Sequence, residues 1–279
     1  NTNKTISVAS GVLEGVAGFG ESDVLQFKAT ITDTSGNATT GTVSDTTLTV
    51  DQTAATISTS SIASDNATVT LAKTGDTVTL TIATNENVSS PTVTFTSGGA
   101  AATNADTVSG ASPGTSFTSA YTVDASDTDG TVAISITATD VAGNTTSGFT
   151  TISAGSVTVD QTAPASQKTQ GVVTTGGDNQ VAGYWNSGNT GVDITVPIAD
   201  DSSINGGTVQ LLVSTDGGGS FVPLDTPSTI SAVNTNKTIS VASGVLEGVA
   251  GFGESDVLQF KATITDTSGN ATTGTVSDT

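Results

Sequence analysis

Three features of the sequence predict an all-β chain of antiparallel β-sandwiches arranged in tandem. Apolar residues alternate with Thr over short runs, as where Val78, Leu80 and Ile82 are set between Thr77, Thr79 and Thr81, and a period of two marks a half-buried strand. Such runs recur at short intervals, each broken by Gly, Asn, Asp or Ser, the residues that favour turns. Finally, Asn1 to Thr46 recurs letter for letter as Asn234 to Thr279, displaced by 233 residues, which is the signature of a repeat array.

Two junctions divide the chain. Val50-Asp51-Gln52-Thr53-Ala54-Ala55 and Val159-Asp160-Gln161-Thr162-Ala163-Pro164 each close an alternating Val/Thr run, end it on an acidic residue and open a new Thr/Ser-rich segment. Residues 1–50 carry Val24, Leu25, Phe27, Ala29 and Ile31, a turn at Asp33-Thr34-Ser35-Gly36-Asn37 and an alternating run to Val50. That is the C-terminal part of a domain, its last two or three strands. Residues 51–160 form a complete domain, with the period of two repeated in Val93/Phe95, Phe117/Tyr121/Val123, Val132/Ile134/Ile136 and Val157/Val159. Residues 161–279 form a nearly complete domain of a second type, with inward faces at Val192/Ile194/Val196/Ile198, Val209/Leu211/Val213 and Leu258/Phe260/Ala262/Ile264. Pro197 removes a ladder donor, so its strand is expected to be an edge or to bulge there. Ser214-Thr215-Asp216-Gly217-Gly218-Gly219-Ser220-Phe221 has the Asp-box pattern and reads as a structural hairpin turn. No stretch shows a helical period. Because residue 1 falls inside a pattern, the chain is expected to be cut from a longer array in which two domain types alternate.

Composition narrows the functional classes. There are 26 acidic residues against six Lys, with no Arg and no His, giving a net charge of −20. Binding to nucleic acid or anionic lipid needs a positive face, so neither is expected; cations are the natural partner. Cys is absent, which excludes disulfides and thiolate metal sites. No apolar run is long enough to span a membrane. Without His, Cys or Arg, the usual bases, thiol nucleophiles and phosphate clamps are missing, so an enzyme is not expected. An acidic surface of this kind suits a saline, calcium-rich exterior.

The acidic residues fall at particular places in the expected fold. In an immunoglobulin-like sandwich the chain ends emerge at opposite poles, and the B–C and F–G loops lie where the chain enters. That places Glu86 and the Asp140–Asn144 loop beside Asp51 in the middle domain, and Asp200 or Asp201, Asp266 and Asn270 beside Asp160 in the third. The upstream neighbour adds a loop from its exit pole: Glu21-Ser22-Asp23 at the first junction, Asp127-Thr128-Asp129-Gly130 at the second. Calcium takes six to eight oxygens in loose geometry, which carboxylates, Asn carbonyls and backbone carbonyls from three loops supply. Zinc is disfavoured without His or Cys. The plainer reading is that these Asp and Asn residues only end strands and make turns.

The Val-Asp-x-Thr-Ala-Pro junction, the Thr137–Asn144 loop Thr-Ala-Thr-Asp-x-Ala-Gly-Asn and the Ser126–Gly130 loop Ser-Asp-Thr-Asp-Gly together resemble the bacterial Ig-like tandem repeats of giant surface adhesins and biofilm-associated proteins. The resemblance covers the middle domain throughout and the third in outline. It implies a seven-stranded sandwich, calcium at the inter-domain junctions, an extracellular position on a bacterial surface, and a stiff extender holding an adhesive tip away from the cell. Two departures stand out: Ala55 replaces the usual Pro, and Asp200-Asp201 replaces the usual Glu.

Two other readings remain open. Residues 1–50 lack strands that 161–233 supply to the identical C-terminal segment, so an open sheet edge is available for homotypic fibre or surface-layer assembly by strand complementation. Tyr184-Trp185, which holds the only Trp, suits a carbohydrate-binding module if exposed, or closes the end of a sandwich core if packed.

Overall fold

The computed structural model describes residues 3–105, 108–177 and 180–277. The chain folds as tandem immunoglobulin-like antiparallel β-sandwiches. Among the described residues no helix is long and apolar enough to cross a membrane.

The middle sandwich is built from β5 (Ile57–Ser64), β6 (Leu71–Ala72), β7 (Thr77–Val88), β8 (Thr92–Ser97), β9 (Ala100–Ala101), β10 (Gly114–Thr122), β11 (Gly130–Thr139), β12 (Thr145–Phe149) and β13 (Thr158–Val159), numbered after the four short strands described below. One sheet has the order β10-β7-β5; the other runs β6-β13-β11-β8-β9, with β12 also on β11. The expected alternation holds along these strands. Val78, Leu80 and Ile82 are buried, as are Phe95, Phe117, Tyr121, Val132, Ile134, Ile136, Val157 and Val159, and they form one core between the sheets. Full burial of such side chains contributes about 1.5–3 kcal/mol each, which is what holds a chain without disulfides. Phe95 and Tyr121 pack with ring centroids 5.1 Å apart. Burial, and then the charge of Asp127, pushes the Tyr121 phenol up to about 12.

The third sandwich has its own core and a different strand order. It comprises β14 (Gln170–Thr175), β15 (Gly191–Ile198), a 3₁₀ turn at Ser202–Ile204, β16 (Thr208–Ser214), β17 (Val222–Thr229), β18 (Thr235–Ala242), a one-turn helix (Ser243–Leu246), β19 (Gln259–Thr265) and β20 (Ala271–Thr273). The sheets are β14-β15-β18 and β17-β16-β19-β20. The core brings together Val192, Ile194, Val196 and Ile198 from β15, Val209, Leu211 and Val213 from β16, and Phe260, Ala262 and Ile264 from β19. Pro197 pairs with Asn236 of β18, but the pairing of β14 with β15 reaches only to Thr195. The proline therefore sits where one side of β15 has no neighbour in this sheet, as its missing donor requires. The Asp-box turn links β16 to β17. Asp216 accepts from the Ser214 hydroxyl (2.6 Å), the Ser220 N–H (3.0 Å) and the Ser220 hydroxyl (2.8 Å), and these bonds hold its carboxyl well below the usual range.

Residues 3–46 repeat the sequence of the end of the third sandwich, but residues 3–50 fold differently. They form a one-turn helix (Ser10–Glu14) and the short strands β1 (Val24–Leu25), β2 (Thr30–Thr32), β3 (Ala38–Thr40) and β4 (Leu48–Thr49), paired β1 with β4 and β2 with β3. Among the described residues, no strand pairs with this segment as β15 pairs with β18 and β16 with β19 in the third sandwich. The helix turn appears in both copies, although no helical period is legible: a single turn is too short to show one.

Candidate metal centre

The two junctions are built on one plan. At the first, Glu21 Oε2 accepts from the backbone N–H of Gln52 (3.0 Å) and the hydroxyl of Thr53 (3.1 Å). At the second, Asp129 accepts from the backbone N–H of Gln161 (2.8 Å) and the hydroxyl of Thr162 (2.6 Å). An upstream carboxylate thus clamps the Gln-Thr linker in each case. On the downstream side, the Asn144 amide donates to the backbone carbonyl of Asp51 (3.2 Å), and the Asn270 amide to that of Asp160 (2.9 Å). The same amides hold Asp140 (3.0 Å) and Asp266 (2.9 Å). Each loop Asp also takes two backbone N–H groups of its own turn, from Gly143 and Asn144 or from Ser268 and Asn270. This is ordinary Asx-turn chemistry, and it leaves the second carboxylate oxygen to the Asn amide that reaches the linker.

At the first junction Asp51, Glu86 and Asp140 each offer a carboxylate oxygen, and these oxygens lie within 4.8 Å of one another. Asp140 is buried; Asp51 and Glu86 are half-buried. Glu86 lies not in a loop but near the end of β7, within the register shift against β10 that falls between Ala83 and Val88. Burial pushes the pKa of Asp140 up. Bonds from the Asn144 side chain and from the turn's N–H groups outweigh it and hold the carboxyl below its ordinary value.

The second junction gathers a different set. Burial, and then the charges of Asp266 and Asp129, push the carboxyl of Asp160 above its ordinary value, against bonds from the Ser268 hydroxyl and the Thr162 N–H. Asp129 and the Asp266 loop both bond to the linker at Asp160, through the Gln161 N–H and through Asn270, but among the described residues no three carboxylates lie within 4.8 Å of one another there. Asp201 instead caps the 3₁₀ turn, accepting from the Ser203 N–H (2.9 Å) and hydroxyl (2.7 Å), and Asp200 is exposed beside it. The Asp127 carboxylate takes the Thr103 N–H and hydroxyl and the Asp124 N–H, while its backbone carbonyl accepts from the Gln161 amide of the linker (2.7 Å). The Asp23 carboxylate takes the Gly20 N–H (2.7 Å). Of the predicted residues, then, Asp51, Glu86 and Asp140 converge at the first junction, while at the second Asp129 clamps the linker and the Asp266 loop reaches it through Asn270. Asn144 and Asn270 brace both, Glu21 clamps a linker, Asp127 meets the second linker only through its backbone carbonyl, and the carboxylates of Asp23, Asp200 and Asp201 bond elsewhere.

Sequence reasoning misses the direct bonds between sandwiches at the second junction. Lys73 Nζ donates to the Gly269 carbonyl (2.7 Å) and the Asn66 amide to the Ser268 carbonyl (3.0 Å); Thr74 donates to the Gln161 side chain. The partners of Lys73 and Asn66 are backbone groups about two hundred positions away, which leave no pattern. The one available signal is the scarcity of cations, which makes each Lys worth placing. Trp185 is spent on packing: it meets Phe252 edge to face at 6.4 Å, and its indole N–H donates to Glu247 (3.1 Å). Tyr184 beside it is exposed.

No family model matches the chain, and no curated protein matches it. Among solved structures it is similar to an I-band fragment of titin, at 9% identity and a TM-score of 0.37, over 81% of this chain and 65% of that one. It is also similar to a tetra-tandem repeat from the extending region of a large adhesion protein, at 21% identity and a TM-score of 0.30, over 91% of this chain and 55% of the other. The sandwich assignment rests on the sheets and cores described above.

Proposed function

We propose that this chain is a non-catalytic spacer of a repetitive, exported surface protein, in which a divalent cation stiffens the junction at Asp51. The observation that carries this reading is the convergence of Asp51, Glu86 and Asp140 at a linker that the neighbouring module already clamps. Three carboxylates this close repel one another, and a cation between them turns that cost into an anchor that pins the linker at Asp51 to the middle sandwich. The donor set is all oxygen, with the Asp51 backbone carbonyl alongside, which suits calcium better than a transition metal.

Calcium titration of the whole chain, followed by thermal unfolding, tests the site. A hundredfold excess over Kd is expected to add about 2.7 kcal/mol to the stability of the middle sandwich. Glu86→Gln removes one carboxylate and leaves the bonds that hold the Asp140 loop intact, so it is expected to abolish most of that gain. An equal gain in Glu86→Gln, or none in the parent chain, rules out this cation site.

A further inference from the structure

The middle and third sandwiches are joined by more than their linker. β13 runs parallel to β6, and the Asp160 N–H donates to the Ala72 carbonyl (2.8 Å), so Lys73 and Thr74 emerge beside the start of the linker. Asp76 sets the donors of this loop: its Oδ2 accepts from the Lys73 backbone N–H (2.9 Å) and from the Asn66 amide (2.6 Å). From there the Asn66 amide also donates to the Ser268 carbonyl (3.0 Å), and Lys73 Nζ to the Gly269 carbonyl (2.7 Å). The receiving turn is equally fixed. Asp266 accepts the Ser268 and Asn270 N–H groups (2.9 and 2.8 Å), while the Ser268 hydroxyl and the Asn270 amide tie the turn to Asp160. Gly269 stands at φ 88°, where a side chain is strained, and a Cβ there would lie 3.1 Å from Lys73 Nζ.

We infer that residues 65–76 of the middle sandwich are a docking surface for the Asp266–Asn270 turn of the third, and that this contact fixes the angle of the second junction without a cation. Relative motion is the default between domains that share only a short linker. Here Lys73 and Asn66 hold the turn while Thr74 holds the Gln161 side chain. A single bond leaves a hinge; bonds to the turn and to the linker together remove it. Lys73 brings a positive charge, and a charged donor makes a stronger bond than a neutral one. The carboxylates that meet this linker are matched by protein donors, Asp129 by the Gln161 N–H and the Thr162 hydroxyl, Asp160 by the Ser268 hydroxyl and the Thr162 N–H. The two sandwiches therefore move as one body, and cation-dependent flexing falls at Asp51. The contact stands on its own bonds whatever occupies the first junction.

The chain has no Cys, so spin labels can be placed at will. Thr94→Cys on β8 and Thr229→Cys on β17 put one label on each sandwich at exposed positions. Pulsed spin-resonance distance measurement on the labelled full chain in chelator should give one narrow distribution, unchanged when calcium is added. Lys73→Met keeps the side-chain stem and removes the ammonium donor. Combined with Asn66→Ala it removes both bonds to the turn, and the distribution in chelator should then widen at least about twofold. Asn66→Ala also takes a donor from Asp76, so Lys73→Met is measured alone as well, where an intermediate width is expected. Because both labels lie beyond the first junction, failure of the cation site at Asp51 leaves this result untouched. A broad distribution for the parent in chelator, a parent distribution that calcium narrows, or a width in Lys73→Met equal to that of the parent each overturns the proposal.

Discussion

Phe260→Ala is expected to cost the third sandwich about 3–5 kcal/mol, and Phe27→Ala, in the same 46-residue sequence, is expected to stay within about 0.5 kcal/mol. Phe260 is buried between β15–β18 and β16–β19, and truncation leaves a cavity that close-packed neighbours fill only in part. Phe27 has no such neighbours and keeps much of its surface in water. Local sequence is identical, so propensity and the local structure of the unfolded chain are nearly the same for both changes. The difference between the two values isolates tertiary packing. Denaturant unfolding at low protein concentration, where chains do not exchange segments, measures it; equal costs at the two positions contradict the structure of residues 3–50.

Gly274→Ala and Gly41→Ala make the same comparison for the backbone. A Cβ at Gly274 would fall far inside contact distance of the Gln167 carbonyl oxygen, where the chain entering the third sandwich passes alongside β20. Backbone cannot yield as a side chain tip can, so the substitution is expected to cost about 1–3 kcal/mol or more. At Gly41 the nearest atom to such a Cβ is the Ala29 carbonyl oxygen at 3.7 Å, an ordinary contact. Removing Gly lowers the entropy of the unfolded chain equally at both sites, a stabilisation of about 0.4–1 kcal/mol that cancels between them. Thermal unfolding of the third sandwich should fall for Gly274→Ala and be unchanged for Gly41→Ala. A matching loss for both would mean that Gly274 is not packed against the incoming strand.

This duplicated segment separates what is legible in sequence from what is not. The Asp33–Asn37 turn and its twin Asp266–Asn270 make the same bonds in both settings, the Asp accepting the N–H groups two and four residues on. The hairpins they close keep one register, Ile31 opposite Thr39 and Ile264 opposite Thr272. Left-handed backbone recurs as well: Gly18 and Gly251 at φ of 86° and 83°, Ser22 and Ser255 at 69° and 71°. Turn chemistry spans a few residues and can be read from them. Strand length cannot, because a ladder needs its neighbour: the same Gln-Phe-Lys-Ala-Thr-Ile-Thr is one full strand at 259–265 and only three strand residues at 30–32. Inward faces such as Val78, Leu80 and Ile82 are legible from alternation alone. The candidate site lies between these cases. Asp51, Asp140 and Asn144 follow from turn signals and the poles of the sandwich, and Glu86 joins them from a strand end. Lys73 and Asn66 reach the third sandwich through contacts with backbone carbonyls, which carry no side-chain pattern to detect.

Small-angle scattering on the whole chain, first with excess calcium and then with chelator, tests the spacer account most directly. A cation that pins the linker at Asp51 to the middle sandwich fixes the angle at that junction, and its removal leaves like charges to splay it. The account predicts a sharply bounded distance distribution with calcium, a broader one with chelator, and recovery when calcium is restored. Glu86→Gln should give the broader form at the first junction in either condition. Identical curves with and without calcium, in a chain whose sandwiches both remain folded, would contradict it.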